Sequence, residues 1–225
     1  MKTSRMEYLQ QLPRERIIKH GPKVLSTAEL LAIVLGTGTK GNNVISFCQS
    51  LLDQFGGVRA LLNTTSEELR PVKGLGNAKI AQLLALKELA LRSLEEPLRD
   101  SKVFNKSSAV KQYCIQLLGH LEVEQCHILF FNNAFKLLHT QLASEGTIDK
   151  AQIYPREIIK LAIRFHATNI ILVHNHPSGI PKPSDADVQF TDDIKCALAL
   201  VDIRLVDHLI IANNEAVSLA EEGYL

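Results

Sequence analysis

The sequence has few cysteines and no long apolar segment. Its four cysteines, Cys48, Cys114, Cys126 and Cys196, stand far apart without a C-x-x-C pair, which argues against a disulfide framework and a cysteine-based zinc site. We therefore expect them to be buried as small apolar residues. No stretch approaches the roughly eighteen unbroken apolar residues of a membrane-spanning helix, and the N-terminus lacks the apolar centre of a signal peptide. We expect a cytoplasmic protein without a membrane partner.

Charge of either sign is nearly balanced over the whole chain. The 225 residues carry a formal net charge of +1 and are 46% hydrophobic, enough for sizeable cores. Residues 1–100 hold 14 Lys and Arg against 10 Asp and Glu, and residues 101–225 hold 11 against 14. The mild positive excess of the first part permits a contact with nucleic acid without requiring one.

The two parts of the chain have different patterns. Residues 1–100 show helical signals, among them a capping box at Ser26–Glu29, and predict a small all-helical domain. Residues 102–225 alternate short apolar strands with amphipathic helices, which predicts an α/β layer structure. The polar stretch SLEEPLRDSKVFNKSS, which contains Pro97, is typical of a linker between them.

Two glycine-rich stretches of the first domain raise the question of nucleotide or nucleic-acid binding. Gly36–Gly41 spells G-x-G-x-x-G, but the preceding LLAIVL looks helical, whereas dinucleotide binding requires a strand there. The stretch VKGLGNAKI resembles a helix-hairpin-helix turn, in which the candidate DNA-binding residues are Lys73, Gly74, Gly76 and Lys79. An ordinary helix–turn–helix corner stabilised by glycine is the competing interpretation.

The richest stretch is HNHPSGIPKPSDAD, at residues 174–187. His174 and His176 end an apolar strand, where residues two apart project to the same face. A stiff loop then leads to Ser184, which begins the next helix and places Asp187 in its first turn. Two imidazoles and one carboxylate, with a fourth position left for water, form a catalytic zinc arrangement.

Other interpretations of this stretch are weaker. Asp187 alone would be explained as a helix-capping residue beside Ser184, but the combined pattern H-x-H-P-x6-S-x2-D fixes five residue types and favours a metal site. The three adjacent letters HNH do not match the nucleases of that name, which spread these residues over a long ββα element. Asn175 should point to the opposite face of the strand and serve a structural role.

The same residues resemble a known family. His174, His176, Pro177, Ser184 and Asp187 match the signature of JAMM (MPN-plus) metalloproteases, and HNHPSG preceded by YPREIIKLAI resembles the bacterial RadC family. PRERIIKHGPKVLSTAELLAIVLGTGTKG and PVKGLGNAKIAQLLALKELALR are similar to the RadC amino-terminal domain. The resemblance implies a three-layer α/β/α JAMM domain with a mixed sheet after the helical domain, and one zinc ion on His174, His176 and Asp187.

The resemblance also implies catalytic residues. JAMM enzymes use a glutamate as general base, for which Glu124 is the first candidate, Glu145 the second and Glu157 the third. Ser184 matches the serine that helps to polarise the scissile carbonyl. The implied function is hydrolysis of a peptide or isopeptide bond in a protein substrate by zinc-activated water, with a link to DNA. The alternative is a DNA-associated repair or recombination accessory protein whose zinc site is structural or inactive.

Overall fold

The computed structural model describes residues 12–100, 107–146 and 153–225. By its internal contacts the chain divides into two compact units, residues 1–89 and 90–225. The boundary lies inside a long helix, before the predicted linker. The predicted domain limits, 1–100 and 102–225, stay a prediction.

The first unit is helical throughout its described part, as predicted. Its elements are α1 (Pro13–His20), a 3-10 turn (Pro22–Val24), α2 (Thr27–Leu35), α3 (Val44–Phe55), α4 (Val58–Asn63), α5 (Ser66–Leu69) and the start of α6 (Asn77–Arg99). Ser26 and Glu29 form the predicted capping box. Leu51, Leu61 and Leu83 are among the buried residues of one apolar core, so the helical spacing of the leucines determines this unit.

The two glycine stretches meet in the first unit and are fastened together. The Lys79 ammonium donates hydrogen bonds to the carbonyls of Gly38, at 3.0 Å, and Gly74, at 3.1 Å. The same ammonium lies 4.5 Å from the centre of the Phe47 ring, a cation–π contact. Because helix α2 directly precedes Gly36, the G-x-G-x-x-G stretch lacks the strand that dinucleotide binding needs.

The second unit begins within α6 and contains one mixed sheet. Its elements are α7 (Ser107–Leu118), β1 (Gln125–Phe131), β2 (Leu137–Glu145), α8 (Pro155–Arg164), β3 (Asn169–Asn175), α9 (Asp185–Ala199), β4 (Arg204–Ala212) and β5 (Glu215–Ser218). The strand order is β2-β1-β3-β4-β5. Only β3 and β4 pair in parallel among the described strands.

Helices cover both faces of this sheet. On one face Leu129, Val173 and Leu209 share an apolar core with Tyr113 and Leu118 of α7. On the other face Phe130 and Leu172 pack with buried residues of α8 and α9. The predicted three-layer α/β/α arrangement with a mixed sheet is therefore confirmed.

Several elements differ from the sequence prediction. Helices α1, α4 and α7 and the edge strand β5 were not predicted. Helix α6 runs through Pro97 to Arg99, so the first part of the predicted linker is helical, and residues 101–106 lie outside the described chain. Cys48, Cys114 and Cys126 are buried as expected, but that expectation is wrong for Cys196, which is exposed on α9.

No helix in the described parts of the chain combines the length and apolar character needed to span a membrane.

The packing of Gly74 generates a stability prediction. Its φ is +96°, and an added Cβ would lie 2.2 Å from Thr39 Cγ2 and 2.9 Å from Phe47 Cε2. We expect Gly74→Ala to lower the free energy of unfolding by about 2 kcal/mol or more, because strain and overpacking add. Urea unfolding monitored by circular dichroism measures it. The control is Gly76→Ala, since an added Cβ there meets no atom within 4 Å; equal stabilities of the two variants would show that close packing at Gly74 does not matter.

Candidate metal centre

Strand β3 places the two histidines. It is buried along its whole length, and the chain keeps pairing beyond its end because the His176 N–H donates to the Ile211 carbonyl at 2.8 Å. This pairing keeps the backbone extended through His176. The imidazoles of His174 and His176 therefore project to one face, as predicted, with their Nε2 atoms 2.9 Å apart.

The start of α9 supplies the carboxylate. The Ser184 hydroxyl accepts the Asp187 N–H, and the Asp187 carboxylate accepts the Ser184 N–H at 2.8 Å, which closes a capping box. Asp187 is thereby held in the first turn, facing the end of β3. Its Oδ1 lies 3.2 Å from His174 Nε2, and its Oδ2 lies 3.5 Å from His176 Nε2.

These three side chains form a donor set that fits a tetrahedral metal ion. Their ligand atoms all lie within 4.8 Å of one another. With zinc–nitrogen bonds of about 2.0–2.1 Å, two tetrahedral ligand atoms are about 3.3 Å apart. The two histidine Nε2 atoms are 2.9 Å apart and His174 Nε2 lies 3.2 Å from Asp187 Oδ1, both close to that value.

The electrostatics of the cluster favour a positive charge. Burial works against ionisation of Asp187, but hydrogen bonds with His174, His176 and Ser184 outweigh it and lower the pKa of this carboxyl well below its usual range. The pKa of His176 is raised, first by its hydrogen bond with Asp187 and to a smaller extent by the charge of Glu124. A cation at this point is stabilised by the ionised carboxylate.

Cys126 lies on the same side of the sheet, directly opposite His174 in the register of β1 and β3. Burial, aided by the nearby carboxylates of Glu124 and Asp187, raises the pKa of its thiol to about 12. Cys126 is not among the described residues whose ligand atoms converge, which are His174, His176 and Asp187.

His176 has a defined proton position. Its Nδ1 lies 2.9 Å from the Ile180 carbonyl oxygen, which can only accept. In the neutral ring Nδ1 therefore carries the hydrogen, and Nε2 presents its lone pair to the cluster. The side chain is 17% exposed, whereas those of His174 and Asp187 are 0% and 4% exposed, so the cluster opens to solvent on the side of His176.

Glu124 lies at the edge of the same cluster. Cys126 opposes His174, and opposed residues share a face of the sheet. Glu124, two residues before Cys126, continues that face because its carbonyl accepts the Gly146 N–H at 2.8 Å and extends the pairing of β1 with β2. Its influence on the pKa of His176 is consistent with this position.

The other two candidate glutamates lie elsewhere. Glu145 is exposed and pairs with Gln125 at the end of β2. Glu157 is exposed on α8, where its carboxylate binds Lys160 and Arg156. Neither is among the residues that the structure brings together with His174, His176 and Asp187.

Asn175 points to the opposite side from the histidines and holds the backbone around Glu124. Its Oδ1 accepts the Gln125 N–H at 2.8 Å, and its Nδ2 donates to the carbonyls of Leu121, at 3.2 Å, and Val123, at 3.1 Å. The predicted structural role of Asn175 therefore consists of hydrogen bonds to the backbone on either side of Glu124.

Ser184 is adjacent to the cluster, but its hydroxyl is engaged. Its single hydrogen is donated to Asp187 Oδ2 at 2.7 Å. Since Oδ2 also accepts the Ser184 N–H, Oδ1 is the carboxylate oxygen left for a metal ion.

The four candidate DNA-binding residues lie in the first unit and differ in accessibility. Lys73 and Gly76 are exposed. The Lys79 ammonium is hydrogen-bonded to the carbonyls of Gly38 and Gly74. These contacts give a lysine five residues after Gly74 a structural role in the packing of the corner. Gly74 is likewise required by close packing.

Two residues behind the cluster were not selected from the sequence. Thr191 on α9 and His208 on β4 are both buried. Burial keeps the pKa of His208 well below its ordinary value, and the neighbouring imidazoles of His174 and His176 act in the same direction. No motif signals them, because tertiary structure brings them to the histidine pair: His208 through the pairing of β3 with β4, and Thr191 through its contact with His208.

Comparison with known proteins covers nearly the whole chain. The model of the RadC-like JAB domain matches residues 104–224, and that of the UPF0758 N-terminal family matches residues 8–81. A UPF0758 protein of Bordetella parapertussis is 46% identical over 213 residues, covering 95% of both chains. One from Marinomonas sp. is 45% identical over 95% of this chain and 96% of its own. One from Vibrio cholerae is 42% identical over 96% of both chains.

The matched regions coincide with the two kinds of architecture. The RadC-like match contains the whole sheet and the cluster at the C-terminal end of β3. The N-terminal match falls on the helical unit. The chain therefore belongs to the UPF0758 family of proteins with a RadC-like JAB domain.

Proposed function

We propose that the second unit is a zinc-dependent hydrolase of JAMM type that cleaves peptide or isopeptide bonds of a protein substrate. It holds about one zinc ion per chain through His174, His176 and Asp187, with the fourth position open. The observation that carries the proposal is the convergence of one ligand atom from each of these three side chains within 4.8 Å of the others.

The chemistry divides between the ion and the chain. Zinc, when bound, supplies Lewis-acid activation of water and of a carbonyl oxygen. Glu124, on the face of the sheet that carries the histidines, accepts the proton from the attacking water and passes it to the leaving amine. Asn175 keeps the backbone of Glu124 in place through its bonds to Val123 and Gln125.

Ser184 has two tasks in this proposal. Its hydroxyl and N–H orient Asp187, and its exposed position at the mouth of the cluster lets the hydroxyl turn towards the carbonyl of a substrate. Rotation about χ1 would transfer its hydrogen bond from Asp187 to the developing oxyanion.

The alternative is a DNA-associated accessory protein with a structural or inactive zinc site. Structural zinc sites close with four protein ligands, whereas three donors converge in the described cluster, which favours the enzyme. DNA contact stays a prediction; with Lys79 engaged, Lys73 is the accessible cation of the predicted hairpin. Repair and cytoplasmic location also stay predictions.

The metal proposal predicts the composition of the purified protein. Chain supplied with zinc and then dialysed should retain about one zinc per chain, measured by elemental analysis. His174→Ala and His176→Ala should each lose most of it, since two donors do not hold zinc under dialysis. His20→Ala is the control, because that exposed histidine lies on α1. Metal-free wild-type protein, or equal zinc in all variants, would refute the assignment.

The catalytic proposal is tested by peptidase profiling. Zinc-loaded chain is incubated with a mixed peptide library and an isopeptide-linked model substrate, and the products are identified by mass spectrometry. We expect Glu124→Gln to reduce the rate by about 100-fold or more, because the general base is lost. Ser184→Ala should reduce it by about 10-fold or more. Zinc content is measured on the same samples.

Glu145→Gln is the matched control, since Glu145 is exposed at the end of β2 and its loss should leave the rate unchanged. Activity untouched by both Glu124→Gln and Ser184→Ala would show that these residues are wrongly assigned. A zinc-loaded wild type that cleaves no substrate would favour the accessory-protein alternative.

A further inference from the structure

A buried chain of hydrogen bonds leads away from the rear of His174. Its Nδ1 lies 2.8 Å from Nε2 of His208 on β4. Nδ1 of His208 lies 2.6 Å from the Thr191 hydroxyl on α9, which lies 2.5 Å from the carbonyl oxygen of Asp187. The exposed fractions of His174, His208 and Thr191 are 0%, 0% and 1%, so bulk water does not compete for these bonds.

The Asp187 carbonyl at the end of this chain determines which atom donates and which accepts in each hydrogen bond. A carbonyl oxygen can only accept, so the single hydroxyl hydrogen of Thr191 is donated to Asp187. The Thr191 oxygen must then accept from Nδ1–H of His208. A neutral His208 has no second hydrogen, so its Nε2 accepts from Nδ1–H of His174. The Nε2 of His174 is thereby left without a hydrogen.

We propose that Thr191 and His208 are positioning residues that fix His174 as the Nδ1–H tautomer, with its Nε2 lone pair directed at the metal ion. The proposal rests on the metal site described above. Hydrogen-bond partners on the far nitrogen commonly orient a ligating histidine and tune its metal affinity. Here the partner is a second neutral histidine, which has to be fixed in turn by a hydroxyl.

The two ligating histidines are therefore fixed by independent means. His176 reaches its acceptor, the Ile180 carbonyl, directly, whereas His174 depends on His208 and Thr191. Without the Thr191 hydroxyl, His208 gains no stabilisation from a hydrogen on Nδ1. A shift of that hydrogen to Nε2 would set two N–H groups against each other at the contact with His174. His174 would then move its own hydrogen to Nε2 and cease to be a ligand.

The matched pair of variants is Thr191→Val, which keeps the shape and removes the hydroxyl, and Thr191→Ser, which keeps the hydroxyl. Zinc affinity of the full chain is measured by competition with a chromophoric chelator. We expect Thr191→Val to bind zinc about 10- to 100-fold more weakly than wild type. Thr191→Ser should bind within about 3-fold of wild type, because the hydroxyl still accepts from His208.

The second readout needs no metal. Long-range proton–nitrogen correlation spectra of 15N-histidine-labelled, metal-free chain distinguish the tautomers. They are recorded at about pH 8.5, well above the ordinary histidine pKa of about 6.5. In wild type, His174, His176 and His208 should all be Nδ1–H tautomers. In Thr191→Val, His174 and His208 should change while His176 stays as it is.

The outcomes separate this inference from the metal proposal. Wild-type zinc affinity in Thr191→Val, or an Nε2–H tautomer of His174 in the wild-type spectrum, would overturn the positioning role. A wild-type chain that binds no zinc but has the expected tautomers would overturn the metal proposal and leave the hydrogen-bond chain intact. The wild-type spectrum decides the matter even where Thr191→Val does not fold.

Discussion

Two imidazole Nε2 atoms lie 2.9 Å apart beside a buried carboxylate, and this close approach of possible ligand atoms is the constraint on which the site depends. Without a positive charge between them, such groups repel one another and are costly to bury. The fold nevertheless holds them there from several directions. A cation bound between these groups would remove the repulsion, and the three side chains could coordinate it.

The same bonds that build the fold hold this constraint in place. Parallel pairing with β4 extends the backbone through His176, so both histidines of the cluster lie on one face. The capping box of α9 uses the Asp187 carboxylate to satisfy helix-start N–H groups and in doing so orients it. Asn175 connects the end of β3 to the segment that carries Glu124. The same hydrogen bonds therefore stabilise the fold and set the geometry of the site, so a substitution that removes one of them affects both.

Local sequence patterns predicted the features of the site that depend on only a few neighbouring residues. The strand period brought the histidines together and the helix-start pattern placed Asp187, because both act over a few residues. Glu124 was preferred only by resemblance; its position became understandable from the register of β1 with β3. Thr191 and His208 could not be found, since tertiary contacts alone unite them with His174. The sequence leaves two roles open for Lys79, since a lysine beside glycines suits a phosphate and a pair of carbonyls equally well; the structure shows the carbonyl contacts, and DNA contact stays a prediction.

Helix α7 was also missed, although its apolar residues have helical spacing. A helix this short depends on tertiary packing for its stability, here the packing of Tyr113 and Leu118 on the sheet. The proposed ligand set of His174, His176 and Asp187 is tested most directly by X-ray absorption spectroscopy of the zinc-loaded full chain at the zinc edge. We expect nitrogen and oxygen neighbours at about 2.0–2.1 Å and the outer-shell pattern of two imidazoles. Sulfur at about 2.3 Å, or the absence of the imidazole pattern, would contradict it.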